Sequence, residues 1–197
     1  MRLANSPASP WILNTPEKLR GKPSRVVLAN QYNTKSDALA GYDAVRKLYT
    51  DLGIIDTYDA AVLTRETNGK VEIVKRTEEP TRQGGAKGFV VGLAVGAVVA
   101  LFPAAGIGLA AGLLGGGAFG AGLGAVAGHV AGGMRRSDLK DLGELLDNGT
   151  SGLLVVAATD LEAKVDAAIT RAKKRAKAQL QADTNVLKRE IDDIRAA

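Results

Sequence analysis

Apolar and polar positions along this chain change period several times, and each change predicts an element. Arg25 to Tyr32 is a short β-rich run, apolar enough for an interior strand. Apolar residues then recur at helical spacing, at Leu39, Tyr42, Val45, Leu48, Tyr49 and Leu52. Ser36 is the expected N-cap of that helix, and Gly53 suits its C′ position. Tyr58 to Thr67 and Lys70 to Thr77 flank Asn68-Gly69, a strong hairpin signal. In the second arm Val71, Ile73 and Lys75 should point one way, and Glu72 and Val74 the other.

This pattern breaks at Pro80 and resumes at Ser137, the expected N-cap of a helix through Leu139, Leu142, Leu145 and Leu146. Asn148-Gly149 closes that helix, and Gly152 to Ala158 reads as a buried strand. Joined across the interruption, the order is β-α-β-β-α-β, which predicts an α+β, ferredoxin-like domain. Thr159-Asp-Leu-Glu162 is a capping box, and the helix it opens is expected to run to the C-terminus. Its apolar stripe is Leu161, Val165, Ala168 or Ile169, Ala172, Ala176 and Leu180, continued by Leu187, Ile191 and Ile194 at coiled-coil spacing. The chain thus divides into an irregular arm (1–24), the first part of the domain (25–79), a helical hairpin (80–136), the second part (137–159) and a basic C-terminal helix (160–197).

Within the interruption, Gly88 to Met134 carries no formal charge and is divided by Pro103. Residues 89–102 are apolar enough for a bilayer but cover only about 21 Å as a helix, against a hydrocarbon core of about 30 Å. Including 84–88 brings the run near spanning length if Lys87 snorkels. Glycines recur every fourth position at Gly88, Gly92 and Gly96. They do so again at Gly108, Gly112, Gly116, Gly120, Gly124, Gly128 and Gly132. Such a ladder lets two helix backbones approach closely, so these ten glycines are the candidate oligomerisation surface. Arg82, Lys87, Arg135 and Arg136 flank the segment and would hold both ends on the cytoplasmic side of a bacterial inner membrane. A transmembrane hairpin is the first expectation. A re-entrant hairpin and a soluble oligomer with buried hairpins are the alternatives.

Composition removes several kinds of chemistry. There is no cysteine, and His129 is the lone histidine, so thiol chemistry is excluded and no Ser-His-Asp set assembles. Gly115-x-Gly117-x-x-Gly120 matches a dinucleotide fingerprint only as a bare pattern in a glycine-rich run, without a preceding strand. No catalytic residue, metal site or cofactor is expected. The net charge of +5 separates no classes, and sparse aromatics argue against nucleic acid. Arg171, Lys173, Lys174, Arg175 and Lys177 spread around the expected C-terminal helix, as a solvated surface, a face packed on a neighbouring subunit, or a contact for anionic lipid or nucleic acid.

Asn68-Gly69, the Gly108–Gly132 ladder and Ser137-Asp-Leu-Lys-Asp-Leu142 together give a resemblance. From Arg25 to Ala168 the chain resembles a bacterial membrane-protein family of unknown function, whose ferredoxin-like domain is interrupted by a glycine-zipper hairpin. The resemblance implies membrane association and a stress-related role, and it brings no active residues. The expectation is therefore a non-enzymatic, homo-oligomeric membrane scaffold or envelope-stress protein. A pore lined by the hairpin helices and a soluble oligomeric interaction module are the other two readings.

Overall fold

The computed structural model describes residues 25–77, 93–102, 107–109 and 127–181. The N-terminal arm with Trp11 lies outside these residues, as do Arg82, Lys87, Gly88, Gly92 and the ladder from Gly112 to Gly124. The end of the expected C-terminal helix, with Leu187, Ile191 and Ile194, lies outside them too.

The architecture is mixed α+β. Strand β1 (Arg25–Tyr32) leads to helix α1 (Lys35–Asp51), a short 3-10 turn (Ile55–Thr57), and the hairpin β2 (Asp59–Arg65) and β3 (Val71–Arg76). Helix α2 (Leu93–Leu101), the short strand β4 (Ile107–Leu109), a helical segment α3 (residues 127–133) and helix α4 (Arg136–Glu144) follow. Strand β5 (Thr150–Ala158), a 3-10 turn (Thr159–Leu161), helix α5 (Glu162–Ala168) and strand β6 (Lys174–Leu180) complete the described chain. The sheet order is β4-β3-β2-β5-β1-β6. Five strands are antiparallel, and β4 adds a short parallel pairing to β3. Because β5 lies antiparallel between β1 and β2, those two run parallel to each other as a split βαβ unit.

Local signals account for much of this. Helix α1 is capped by Thr34, not Ser36: the Thr34 hydroxyl accepts from the Asp37 amide at 3.1 Å. At its other end Gly53 takes φ +68°, and the Gly53 and Ile54 amides donate to Thr50 and Tyr49, a Schellman ending that only glycine adopts without strain. Gly69 takes φ +87° in the hairpin turn, as Asn68-Gly69 predicts. A register shift between Val62 and Leu63 then turns Lys75 away from Val71 and Ile73. Lys75 instead sits 4.5 Å above the Tyr42 ring and pairs with Asp43. Helix α4 is capped by the Arg135 backbone rather than by Ser137, whose hydroxyl donates to Asp138.

Both faces of the sheet are covered. Val26, Leu28, Tyr32, Ala60, Val62, Val155 and Ala157 pack under α1 and α5. Val27, Ala29, Ala61, Leu63, Ile73, Leu154 and Val156 pack under α2, α4 and Val130 of α3. Double coverage explains why β5 is an unbroken apolar run from Leu153 to Ala157, since neither side of that stretch meets water.

Two expectations are corrected here. No helix among the described residues is long and apolar enough to cross a membrane, which overturns the transmembrane hairpin and the inner-membrane location. The described helix of the first apolar run is α2, Leu93–Leu101, which covers about 14 Å at 1.5 Å per residue against a bilayer core of about 30 Å. Leu93 to Val98 are all buried, wedged between the sheet and α4. A helix enclosed on every side is apolar on every side, whether lipid or protein surrounds it. The second correction concerns the C-terminal helix. It ends at Ala168, and the basic run from Lys174 is strand β6, antiparallel to β1. Ala176, Ala178 and Leu180 alternate inward, a period of two hidden within the spacing of four that suggested a helix. The capping box does not form either, because Thr159 enters a 3-10 turn without capping it.

Candidate functional site

Helix α3 places the last two glycines of the ladder. Ala127 and Val130 are buried against the core, followed by Met134 just beyond the helix, while Gly128 and Gly132 are exposed on the outward side. A Cβ built on either glycine meets nothing within 4 Å. These two positions therefore form an open strip of bare backbone, one helical turn long. His129 beside them is half-buried. The other described ladder positions lie elsewhere: Gly96 is buried inside the core in α2, and Gly108 sits in β4, opposite Glu72 of β3, rather than in a helix.

The glycine that the fold needs in this region is Gly133, off the four-residue ladder. A Cβ there would lie 2.7 Å from the Gln181 carbonyl oxygen and 2.9 Å from Leu180 Cδ1. The Gly133 carbonyl accepts from the Gln181 amide at 2.9 Å, tying the end of α3 to the end of β6. The signal for it was the doublet Gly132-Gly133, in which one glycine faces out and its neighbour faces in.

The basic run falls on β6 and the turn before it, where four of its five cations meet carboxylates of the same chain. Arg171 pairs with Asp37 at 3.5 Å, Lys174 with Asp147 at 2.6 Å, Arg175 with Asp166 at 3.0 Å and Lys177 with Glu162 at 2.5 Å. Hydrogen bonds from Lys174 and then Gln31 hold the Asp147 carboxyl below the usual carboxylate range. The Glu162 hydrogen bond raises Lys177. The fifth cation, Lys173, donates its backbone amide to the Gln31 carbonyl and lengthens the β1–β6 ladder. Of the flanking basic residues, Arg135 pairs with Asp138 at 3.4 Å and Arg136 opens α4.

Sequence reasoning also passed over Asp59. Its carboxylate, 1% exposed, accepts from the Ala94 amide at 2.9 Å at the start of α2. A buried carboxylate at a helix N-terminus satisfies an amide that has no partner inside the helix, and it complements the helix dipole. No spacing rule links a strand residue to a helix that begins 34 positions later (93 minus 59). Arg65 is similar: its guanidinium donates to the Leu146 carbonyl at 2.8 Å and lies 5.6 Å over the Phe102 ring. A mostly apolar pocket of about 20 Å³ between the sheet, α2 and α4, lined by Phe102 and Leu146 among others, has room for one water-sized guest. Among the described residues no group of three His, Asp or Glu side chains could hold a metal ion.

Comparison of the chain with protein-family models, with curated proteins and with solved structures finds no match.

Proposed function

We propose that this protein is a non-enzymatic, self-associating module whose copies meet through the glycine face of α3. The observation that carries the reading is the placement of Gly128 and Gly132, exposed with open space above both. Bare backbone on the outside of a helix lets a second helix approach more closely than side chains would allow. Exposed glycine otherwise costs helix stability, roughly 0.5–1 kcal/mol each relative to alanine. The ferredoxin-like kinship belongs to this proposal as well. The β-α-β-β-α-β order and the split βαβ unit favour it. The position of α4, on the face opposite α1, sets this domain apart from a sandwich with both helices on one side.

The test is the native mass of the full chain carrying Gly128→Leu and Gly132→Leu. Because both positions point away from the core, the domain keeps its fold and its cooperative melting. Assembly should shift to smaller or heterogeneous species. An unchanged native mass in the folded double variant rejects the glycine face as the assembly surface.

A further inference from the structure

Strand β6 is made of residues that prefer another structure. Lys174-Arg-Ala-Lys-Ala-Gln-Leu180 consists entirely of strong helix formers. Every other strand of the sheet contains at least one β-branched residue, and β6 contains none. The segment before it carries the same conflict. Leu161, Val165, Ile169, Ala172, Ala176 and Leu180 lie on one stripe of a continuous helix, yet the helix stops at Ala168. The interruption contains Arg171 at φ +61°, the one non-glycine residue with positive φ among the described residues. An arginine there is strained, because its Cβ crowds the backbone. Strand β6 is an edge strand held by its ladder to β1 and by ion pairs, of which Lys174–Asp147 and Arg175–Asp166 are about half exposed while Glu162, the partner of Lys177, is mostly covered. Exposed pairs of this kind contribute little each.

We infer that β6 is a conditional strand, which leaves the sheet edge by joining α5 in one helix from Glu162 to Leu180. In that state Arg171 returns to ordinary helical geometry and the local preference of the whole segment is met. What is lost is the whole ladder to β1, the Lys174–Asp147 and Lys177–Glu162 ion pairs, the inward packing of Ala178 and Leu180 and the bond between Gln181 and Gly133. Strand β1 then becomes the edge of the sheet, with its outer backbone groups open to another strand. A strand composed against its own local preference is where a sequence has two consistent answers. The device is separate from the glycine face and stands or falls without it.

The two states differ clearly between positions 162 and 177. In the strand form the Glu162 and Lys177 side chains touch. In a continuous helix their backbones lie about 22 Å apart, fifteen residues at 1.5 Å each. The chain has no cysteine, so Glu162→Cys with Lys177→Cys takes a pair of spin labels, and pulsed dipolar spectroscopy reads the distance on the full chain. The expected distribution has a short component and a longer one near the helical distance. Arg171→Gly relieves the strained turn and weakens the helix. It should deplete the longer component by at least about threefold, the ratio that glycine's lower helix propensity relative to arginine corresponds to. Arg171→Ala keeps the strain in the strand form and favours the helix, so it should enlarge the longer component. The inference is overturned if the longer component is missing from both the parent chain and Arg171→Ala. It is equally overturned if Arg171→Gly leaves the proportion unchanged.

Discussion

Helix α2 and strand β6 are opposite cases of one problem. Helix α2 is apolar on every side and lacks an amphipathic pattern, yet it is a core helix with its first turn fixed by Asp59. Strand β6 has the composition of a solvated helix, yet it lies on the sheet with its cations paired to acids. In α2, burial holds a helix that contains Gly96 and three valines, weak helix formers all, and only the identity of the surrounding medium was misjudged. In β6, tertiary contact outweighs local preference. The two elements should therefore differ in stability, with α2 part of the global core and β6 the weaker edge.

The largest expected effect falls on α2. Leu93 is fully buried in the core cluster, so Leu93→Ala should cost about 2–5 kcal/mol through lost burial and a residual cavity. A shift in urea midpoint at unchanged slope measures it. A variant as stable as the parent would mean that α2 does not cover the sheet. Next is Asp59→Ala, which leaves the buried Ala94 amide without its acceptor. The expected cost is about 1–3 kcal/mol, checked by the same titration, and Asp59→Asn should recover part of it because an amide oxygen still accepts.

A third pair of variants separates neighbouring glycines. Gly133→Ala forces a methyl against Gln181 and Leu180 and should cost about 1–3 kcal/mol. Gly132→Ala adds its methyl to open space and should stabilise the monomer by a few tenths to about 1 kcal/mol through helix propensity. Thermal melting of both variants decides it, and equal effects would remove the distinction between the inward and outward faces of α3.

How much of this was legible in the sequence follows from the range of each signal. Strands β1 and β5, helix α1 and the β2–β3 hairpin each had a cap, turn or period within their own few residues, with Gly53, Asn68 and Gly69 as the clearest. The α2 error came from a property shared by core and membrane helices. At β6 the spacing of Ala176 and Leu180 fits a helix by fours and a strand by twos, and only the β1 edge chooses between them. Asp59, Arg65 and Gly133 act through contacts distant in sequence, for which no local pattern exists. The outward placement of Gly128 and Gly132 was implied by their spacing, but their separation from Gly96 and Gly108 was not.

The smallest effect concerns the phenols on the α1 face. Burial pushes Tyr32 up to about 12 and Tyr49 up to about 12, from an ordinary value of 10.0. Both hydroxyls are buried without a hydrogen-bond partner among the described residues. The sign follows directly: the folded state favours the protonated phenols. The stability they contribute is whole below pH 10 and is lost as pH rises through 12. Tyr32→Phe removes an unsatisfied hydroxyl and should be neutral or slightly stabilising at pH 7. Above pH 10 its melting temperature should fall less steeply than that of the parent. A parallel fall in both chains would contradict the assignment.

Native-state hydrogen exchange, resolved by residue, tests the central contrast most directly. The α2 amides from Val98 to Leu101 should exchange only through global unfolding, together with those of β5. The β6 amides from Lys174 to Leu180 should exchange through a smaller opening that leaves β5 and α2 protected. Protection of β6 equal to that of β5, or early exchange of α2 while the sheet stays closed, would contradict it.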